Sequence, residues 1–378
     1  MGRRLLCGSV LVGFGSLAAA PAAALEGIKL EVGGYFSSAY VGVRDGKHRG
    51  ARWGTDRNAD ALKQDAEVQI SGETKLDDGV ALEARIELEG EGDPFGQIGK
   101  SWISASGDFG LIRFGSQDDA LETQCPYVPG GTANFSAFSP TGWGSNDPIG
   151  SNTDCQSADD DAQKITYLTP VFSGFQLALS YTPSANGEDY TQAGVNNAGT
   201  PTNPDGIAHH IVSAYATYSI ERDEWTFTWG GGGSWQLAYN GIPGFRDGRS
   251  AAYQTSGALS IGPVAVGAVF EYVDQGGPHN DRWVAGAGLA YYATEQLTFG
   301  LQYSHGRYDG DLLGDDLGTD GAHSLNRVVL TVGYNLAPGV DLDADLGYTW
   351  YRDTRSPTLD TLDDYQAAEI GFGSSFSF

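Results

Sequence analysis

The stretch VDLDADLGYTWY, Val340–Tyr351, alternates without a break. Leu342, Ala344, Leu346, Tyr348 and Trp350 share one parity, and Asp341, Asp343, Asp345, Gly347 and Thr349 the other. Successive side chains of a strand point to opposite faces, so this period of two makes one apolar face and one polar face. Working outward, the same alternation fills Ala66–Leu76, where Val68, Ile70 and Leu76 oppose Glu67, Gln69, Glu73 and Lys75. It fills Val80–Leu88, where Leu82, Ala84, Ile86 and Leu88 oppose Glu83, Arg85 and Glu87. It returns in Phe175–Tyr181, Val264–Tyr272, Leu297–Tyr303 and Val328–Leu336. The fold is therefore read as all-β.

The connections fall into two sets. Tight ones such as Asp77-Asp78-Gly79, Gly107 to Gly110, Phe172-Ser173-Gly174, Ile261-Gly262-Pro263 and Ala337-Pro338-Gly339 carry hairpin-turn residues. Between them lie long polar segments, including 45–64, 183–206, 240–250, 309–322 and 353–364. After the first two dozen residues no apolar run is long enough for a transmembrane helix. A closed barrel is then the way such a chain can cross a bilayer, because its ladder satisfies every backbone N–H and C=O. About sixteen strands fit the length, an even number of the kind single-chain bacterial barrels use. Tyr181, Trp225, Trp229, Tyr272, Tyr291, Tyr303, Tyr334 and Trp350 near strand ends suit the two interfacial girdles. A soluble sandwich is the competing fold and has no need of those aromatics.

Arg3 and Arg4, an apolar stretch from Leu5 to Ala20 and then Ala22-Ala23-Ala24 form the pattern of a secretory signal peptide. Residues 1–24 are expected to be removed, leaving 25–378 as the barrel. The formal net charge is −26, which excludes nucleic acid as a partner and favours cations.

The segment Gly115–Lys164 keeps no strand or helix period and is too long for an ordinary connection in a compact domain. It holds Cys125 and Cys155, the two cysteines beyond the leader, with Tyr127, Phe135, Phe138 and Trp143. An even number of cysteines in an exported chain points to a Cys125–Cys155 disulfide, with two buried thiols as the alternative. Small residues at Gly230 to Gly233 and at Ala285 to Gly288 either relieve crowding and permit a bend or flatten an outer face for a subunit contact.

The ending Tyr365–Phe378, YQAAEIGFGSSFSF, puts Ala368, Ile370, Phe372, Phe376 and Phe378 on one face and closes on Phe. It resembles the last strand of Gram-negative outer-membrane proteins. Together with SGETKLDDGVALEARIELEG (71–90), SASGDFGLIRFGSQDDAL (104–121) and KITYLTPVFSGFQLALSYTP (164–183), the chain resembles the Gram-negative general diffusion porins, in the style of alphaproteobacterial ones. The resemblance implies a 16-stranded antiparallel transmembrane β-barrel in the outer membrane, a homotrimer, with a long third loop folded inward. By order that pore-constricting loop is 116–163.

The resemblance also implies loop acids that face basic side chains across the channel. The acidic candidates are Asp118, Asp119, Glu122, Asp147 and Asp154, and the wall candidates are Arg85, Arg113, Lys75 and Arg44. With few bases and many acids, the expectation is a channel for small hydrophilic solutes and ions, weakly cation-selective. A substrate-specific porin, for example for sugars, is the alternative, and an adhesive or hydrolytic barrel a remoter one. The chain is not expected to be an enzyme: His209, His210 and Ser213 lie together, but no nucleophile-elbow motif is present. No cofactor is expected, although Asp159, Asp160 and Asp161, or Asp309, Asp311, Asp315 and Asp316, are candidate Ca²⁺ ligands. Outer-membrane lipid and lipopolysaccharide surround such a barrel, and solvated loops facing them are the competing reading of the acidic runs.

Overall fold

The computed structural model describes residues 27–45, 59–90, 97–126, 128–138, 161–185, 208–239, 250–274, 281–310, 321–353 and 365–378, and the expected leader lies outside them. The strands are β1 Lys29–Asp45, β2 Asp60–Lys75, β3 Ala81–Glu89, β4 Ile98–Gly107, β5 Gly110–Ser116, β6 Gln163–Leu168, β7 Phe175–Ser184 and β8 Ala208–Arg222. They continue as β9 Trp225–Tyr239, β10 Ala251–Ile261, β11 Val264–Asp274, β12 Asp281–Tyr292, β13 Leu297–Gly310, β14 Gly321–Ala337, β15 Val340–Asp353 and β16 Tyr365–Ser377. Each pairs antiparallel with its neighbours in sequence, and β1 pairs with β16, so the 16-stranded sheet closes. At the seam the Gly34 and Phe378 backbones exchange two hydrogen bonds, each 3.1 Å long. Leu25, the first residue after the expected leader, lies outside the described residues.

Burial is inverted relative to a water-soluble protein. On β15, Leu342, Leu346 and Tyr348 are exposed while Asp343, Asp345 and Thr349 are buried. On the neighbouring strands Leu301, Leu330 and Phe372 point out, and Gln302, Ser304 and Thr331 point in. An apolar outside and a polar inside suit lipid on one side of the wall and water or packed polar groups on the other. Exposed Tyr181, Tyr253, Tyr303 and Tyr348 ring the end that bears the long connections, and Trp225, Tyr291 and Tyr334 ring the short-turn end.

Several strands outrun the stretch over which the sequence alternates. Leu297–Tyr303 is the first half of β13, and Val328–Leu336 is the second half of β14. Past the girdle the outward residues become polar, as at Arg307 and Ser324, so the period fades while the backbone ladder continues.

The connection from β5 to β6 contains the one helix among the described residues, α1, Ala120–Gln124. Asp119 caps it, its carboxylate accepting from the N–H of Leu121 at 2.8 Å and of Glu122 at 3.1 Å. An Asp followed three residues later by Glu is the pattern of a helix start, but a single turn is too short to show a period.

Candidate functional site in the barrel lumen

The inner wall of β3, β4 and β5 carries the basic residues. Arg85 on β3 lies 3.4 Å from Glu83, 3.6 Å from Glu87 and 3.3 Å from the amide oxygen of Gln69. Its guanidinium carbon also sits 5.4 Å from the ring centre of Trp102 on β4. Arg113 on β5 covers the same ring at 4.1 Å. One indole is thus shared by two guanidiniums, a cation–π arrangement that fixes both cations against the wall. Lys75 has inward parity at the short-turn end of β2 and is exposed. Arg44 is a correction to the expected wall. It shares parity with exposed Phe36 and Tyr40, whereas Ala39 and Val41 point in, so it faces outward.

Lys100 on β4 is a lumen base that the sequence reading missed. Its ammonium pairs with Asp118, where the connection leaves β5, and lies 3.6 Å from Asp161, where the connection returns to β6. A single cation therefore holds both legs of the β5–β6 connection.

Of the expected loop acids, Asp118 belongs to that ion pair. Asp119 is fully buried and accepts from the Ser213 hydroxyl of β8 at 2.6 Å besides capping α1. It anchors the connection and does not line a channel. Glu122 is exposed in the interior. Enclosure by the barrel and then the charge of Asp118 raise its carboxyl above the ordinary glutamate value, with Lys100 opposing. Asp147 and Asp154 lie outside the described residues.

From α1 to Phe138 the described residues lie against the inner wall. Thr217 of β8 donates to Gln124 at 3.2 Å, and Gln254 of β10 donates to the Cys125 sulfur at 3.2 Å. Cys125 stands in a disulfide, and Cys155 lies outside the described residues. Gln302 of β13, fully buried, donates to the carbonyls of Val128 and Pro129 and accepts from Ser136 and from the N–H of Ala137 at 2.9 Å. Thr331 of β14 donates to the Gly130 carbonyl at 2.8 Å, and Asp343 of β15 accepts from the backbone and side-chain N–H groups of Asn134. Phe135 then packs with Ala39 and Val41 of β1, and Phe138 turns back to Val269 of β11.

The wall is cut away to receive this path. A Cβ at Gly288 would collide with the Pro129 carbonyl, and one at Gly286 with the Phe138 ring. The glycines at 286 and 288 therefore clear room on the inner face for the connection. The polar residues of β13 to β15 that anchor it were visible only as one face of an alternating strand.

His210 is exposed and bonds the Tyr181 hydroxyl at 2.7 Å, while Ser213 is buried on the opposite face. The two do not form a hydrolytic pair. Among the described residues no group of His, Cys, Asp and Glu could hold a metal ion. Asp161 is engaged by Lys100; Asp159, Asp160, Asp311, Asp315 and Asp316 lie outside the described residues, as does the side chain of Asp309.

No curated protein sequence matches the chain. Among solved structures, a loop-deletion mutant of OmpT, an outer membrane protein of Vibrio cholerae, aligns with a TM-score of 0.61 at 13% identity over 93% of this chain and 100% of that one. An anion-selective porin from Comamonas acidovorans aligns at 0.57 and 15%, and a mutant of the Rh. blastica porin at 0.53 and 16%, each over 93% of this chain and 100% of the other. At such identities the likeness is one of fold. The family model for Gram-negative porins matches residues 9–354, and with a closed 16-stranded wall that is apolar outside and polar within, the chain belongs to the Gram-negative porins of the outer membrane.

Proposed function

We propose that the barrel is a passive diffusion pore for small hydrophilic solutes and ions, with a weak preference for cations, narrowed by the connection 116–163 and working without a cofactor or catalysis. The observation that carries this reading is the charge of the inner wall. Glu83, Glu87, Glu271, Asp343, Asp345 and Glu369 share the lumen-facing parity with Arg85, Lys100, Arg113, Arg282 and Arg327, and those bases stand beside acids or on Trp102. Carboxylates lining a pore favour cations. The Comamonas acidovorans structure is titled an anion-selective porin, so this fold hosts either sign and the side chains decide.

The same reading includes removal of residues 1–24, a Cys125–Cys155 disulfide within the narrowing connection and a homotrimer. One OmpT structure of Vibrio cholerae is described as a trimer form. The outer faces of β2 to β5 support a subunit contact here, because they present Ala66, Val68, Ile70, Ala84, Ile86 and Ile103 without a Tyr or Trp girdle.

The test is planar-bilayer conductance of the refolded chain under a KCl gradient. Ohmic openings grouped in threes, with a reversal potential on the K⁺ side, are expected. A folded barrel that passes no current would overturn the pore, and a Cl⁻-side reversal potential would overturn the selectivity.

A further inference from the structure

Gly115 of β5 stands directly opposite Trp102 of β4 and holds a φ of +134°. A Cβ there would lie 2.7 Å from the Cα and 2.9 Å from the Cβ of Trp102, so the position takes no side chain. That leaves room beside the indole for Arg113, two residues back on the same inward face, whose guanidinium carbon lies 4.1 Å from the ring centre. Arg85, directly opposite Trp102 on β3, approaches the same ring to 5.4 Å, and the indole beneath them is buried.

The two arginines differ in their other contacts. Arg85 pairs with Glu83 and Glu87 and donates to Gln69. Among the described residues Arg113 stands in no ion pair, and its Nε is buried without a hydrogen-bond partner. The acids whose charge reaches Arg113 are Asp118, Glu83 and Glu87. Asp118 is engaged by Lys100, so Glu83 and Glu87 are the acids that a released Arg113 would join. A guanidinium is planar and weakly hydrated and stacks on an aromatic face, whereas an ammonium keeps its water.

We infer that Trp102 is a positioning residue for ion selectivity, a latch that holds the Arg113 guanidinium flat on the wall and its charge out of the ion path. This rests on the pore reading and names the group that sets the balance of charge within it. Off the ring, Arg113 would either stand in the passage and attract anions or pair with Glu83 or Glu87 and cancel their pull on cations. Both lower the K⁺ preference. On the ring it does neither.

The experiment is the reversal potential under a KCl gradient, each variant read as a shift from the wild type. R113K keeps the charge and loses the flat face, so it is expected to move toward the Cl⁻ side, as is W102L. R113Q is expected to move toward the K⁺ side, W102F to stay near the wild type because a phenyl ring still offers its face, and W102L/R113Q to lie with R113Q. R113K at the wild-type potential, W102F shifted as far as W102L, or a double variant that keeps the W102L shift would each overturn the latch. Heat-dependent gel mobility shows which variants fold, and R113K decides alone if W102L does not. The second readout needs no current: phenylglyoxal labelling of the folded barrel, mapped by peptide mass spectrometry. Arg113 is expected to label roughly fivefold faster in W102F/R85Q than in the wild type, the factor that weakening a cation–π contact by about 1 kcal/mol supplies, and exposed Arg222 to label alike in both. Equal labelling of Arg113 would overturn the latch. In a barrel that passes no current the labelling still says whether the ring holds the guanidinium, so the contact and the pore fail separately.

Discussion

Lys100 neutralises two carboxylates that belong to opposite ends of one connection, and each group in this trio is about three-quarters buried. In K100Q, Asp118 and Asp161 lose the ammonium they share. We expect the thermal midpoint of the barrel to fall, with a cost of about 1–2 kcal/mol for this partly screened cluster, and the K⁺ preference to rise in a bilayer. An unchanged reversal potential would mean that the trio lies outside the ion path. Glu122 is the residue for pH. Its carboxyl is raised in the folded barrel by enclosure and by Asp118, so the folded state binds this proton more readily than the unfolded chain does. Ionised Glu122 therefore opposes folding at neutral pH, and that opposition fades as pH falls through its folded value. The same protonation removes a lumen charge, so K⁺ preference should begin to decline above the ordinary glutamate range, and E122Q should flatten that part of the profile. At this scale the sequence was unevenly legible. Arg85 and Arg113 keep the phase of their strands. Lys100 does not, because the ladder slips between Glu87 and Leu88, and counting by twos from outward Ile98 puts Lys100 on the wrong face.

The element that shapes the interior is the β5–β6 connection, and its path depends on small residues in the strands it crosses. At Gly300 a Cβ would collide with the Gly130 carbonyl. G300V is expected to push the connection off β13 while the ladder to β12 and β14 persists. Single-channel conductance should change, whereas the heat-dependent gel mobility that marks a folded barrel should stay. A variant with wild-type conductance would show that the connection does not set the channel's width. The strands were legible because lipid and lumen make opposite demands on alternate residues over a whole membrane thickness. The connection was legible only as an absence of period. Its anchors, such as Gln302 and Asp343, come from strands far away in sequence, and no local pattern marks them as partners of Ala137 or Asn134.

For the whole molecule, the contrast between a girdled arc and a bare arc sets where copies should meet. A84W places an indole on the smooth outer face of β3. Lipid accommodates it, but a packed subunit surface does not, so if the chain forms the proposed trimer, its band on an unheated gel should give way to monomer with unchanged monomer stability. Persistence of the trimer would move the contact to another face. The closed sheet has a further mechanical consequence. A cylinder of hydrogen-bonded staves resists stretching along its seams better than it resists being pressed out of round. Here residues 117–126 and 128–138 are fastened to β8, β10, β13, β14 and β15 and reach β1, like a hoop fitted inside the staves. Lateral pressure from the membrane must shear several of those fastenings together before the cross-section can flatten, so the bore keeps its shape.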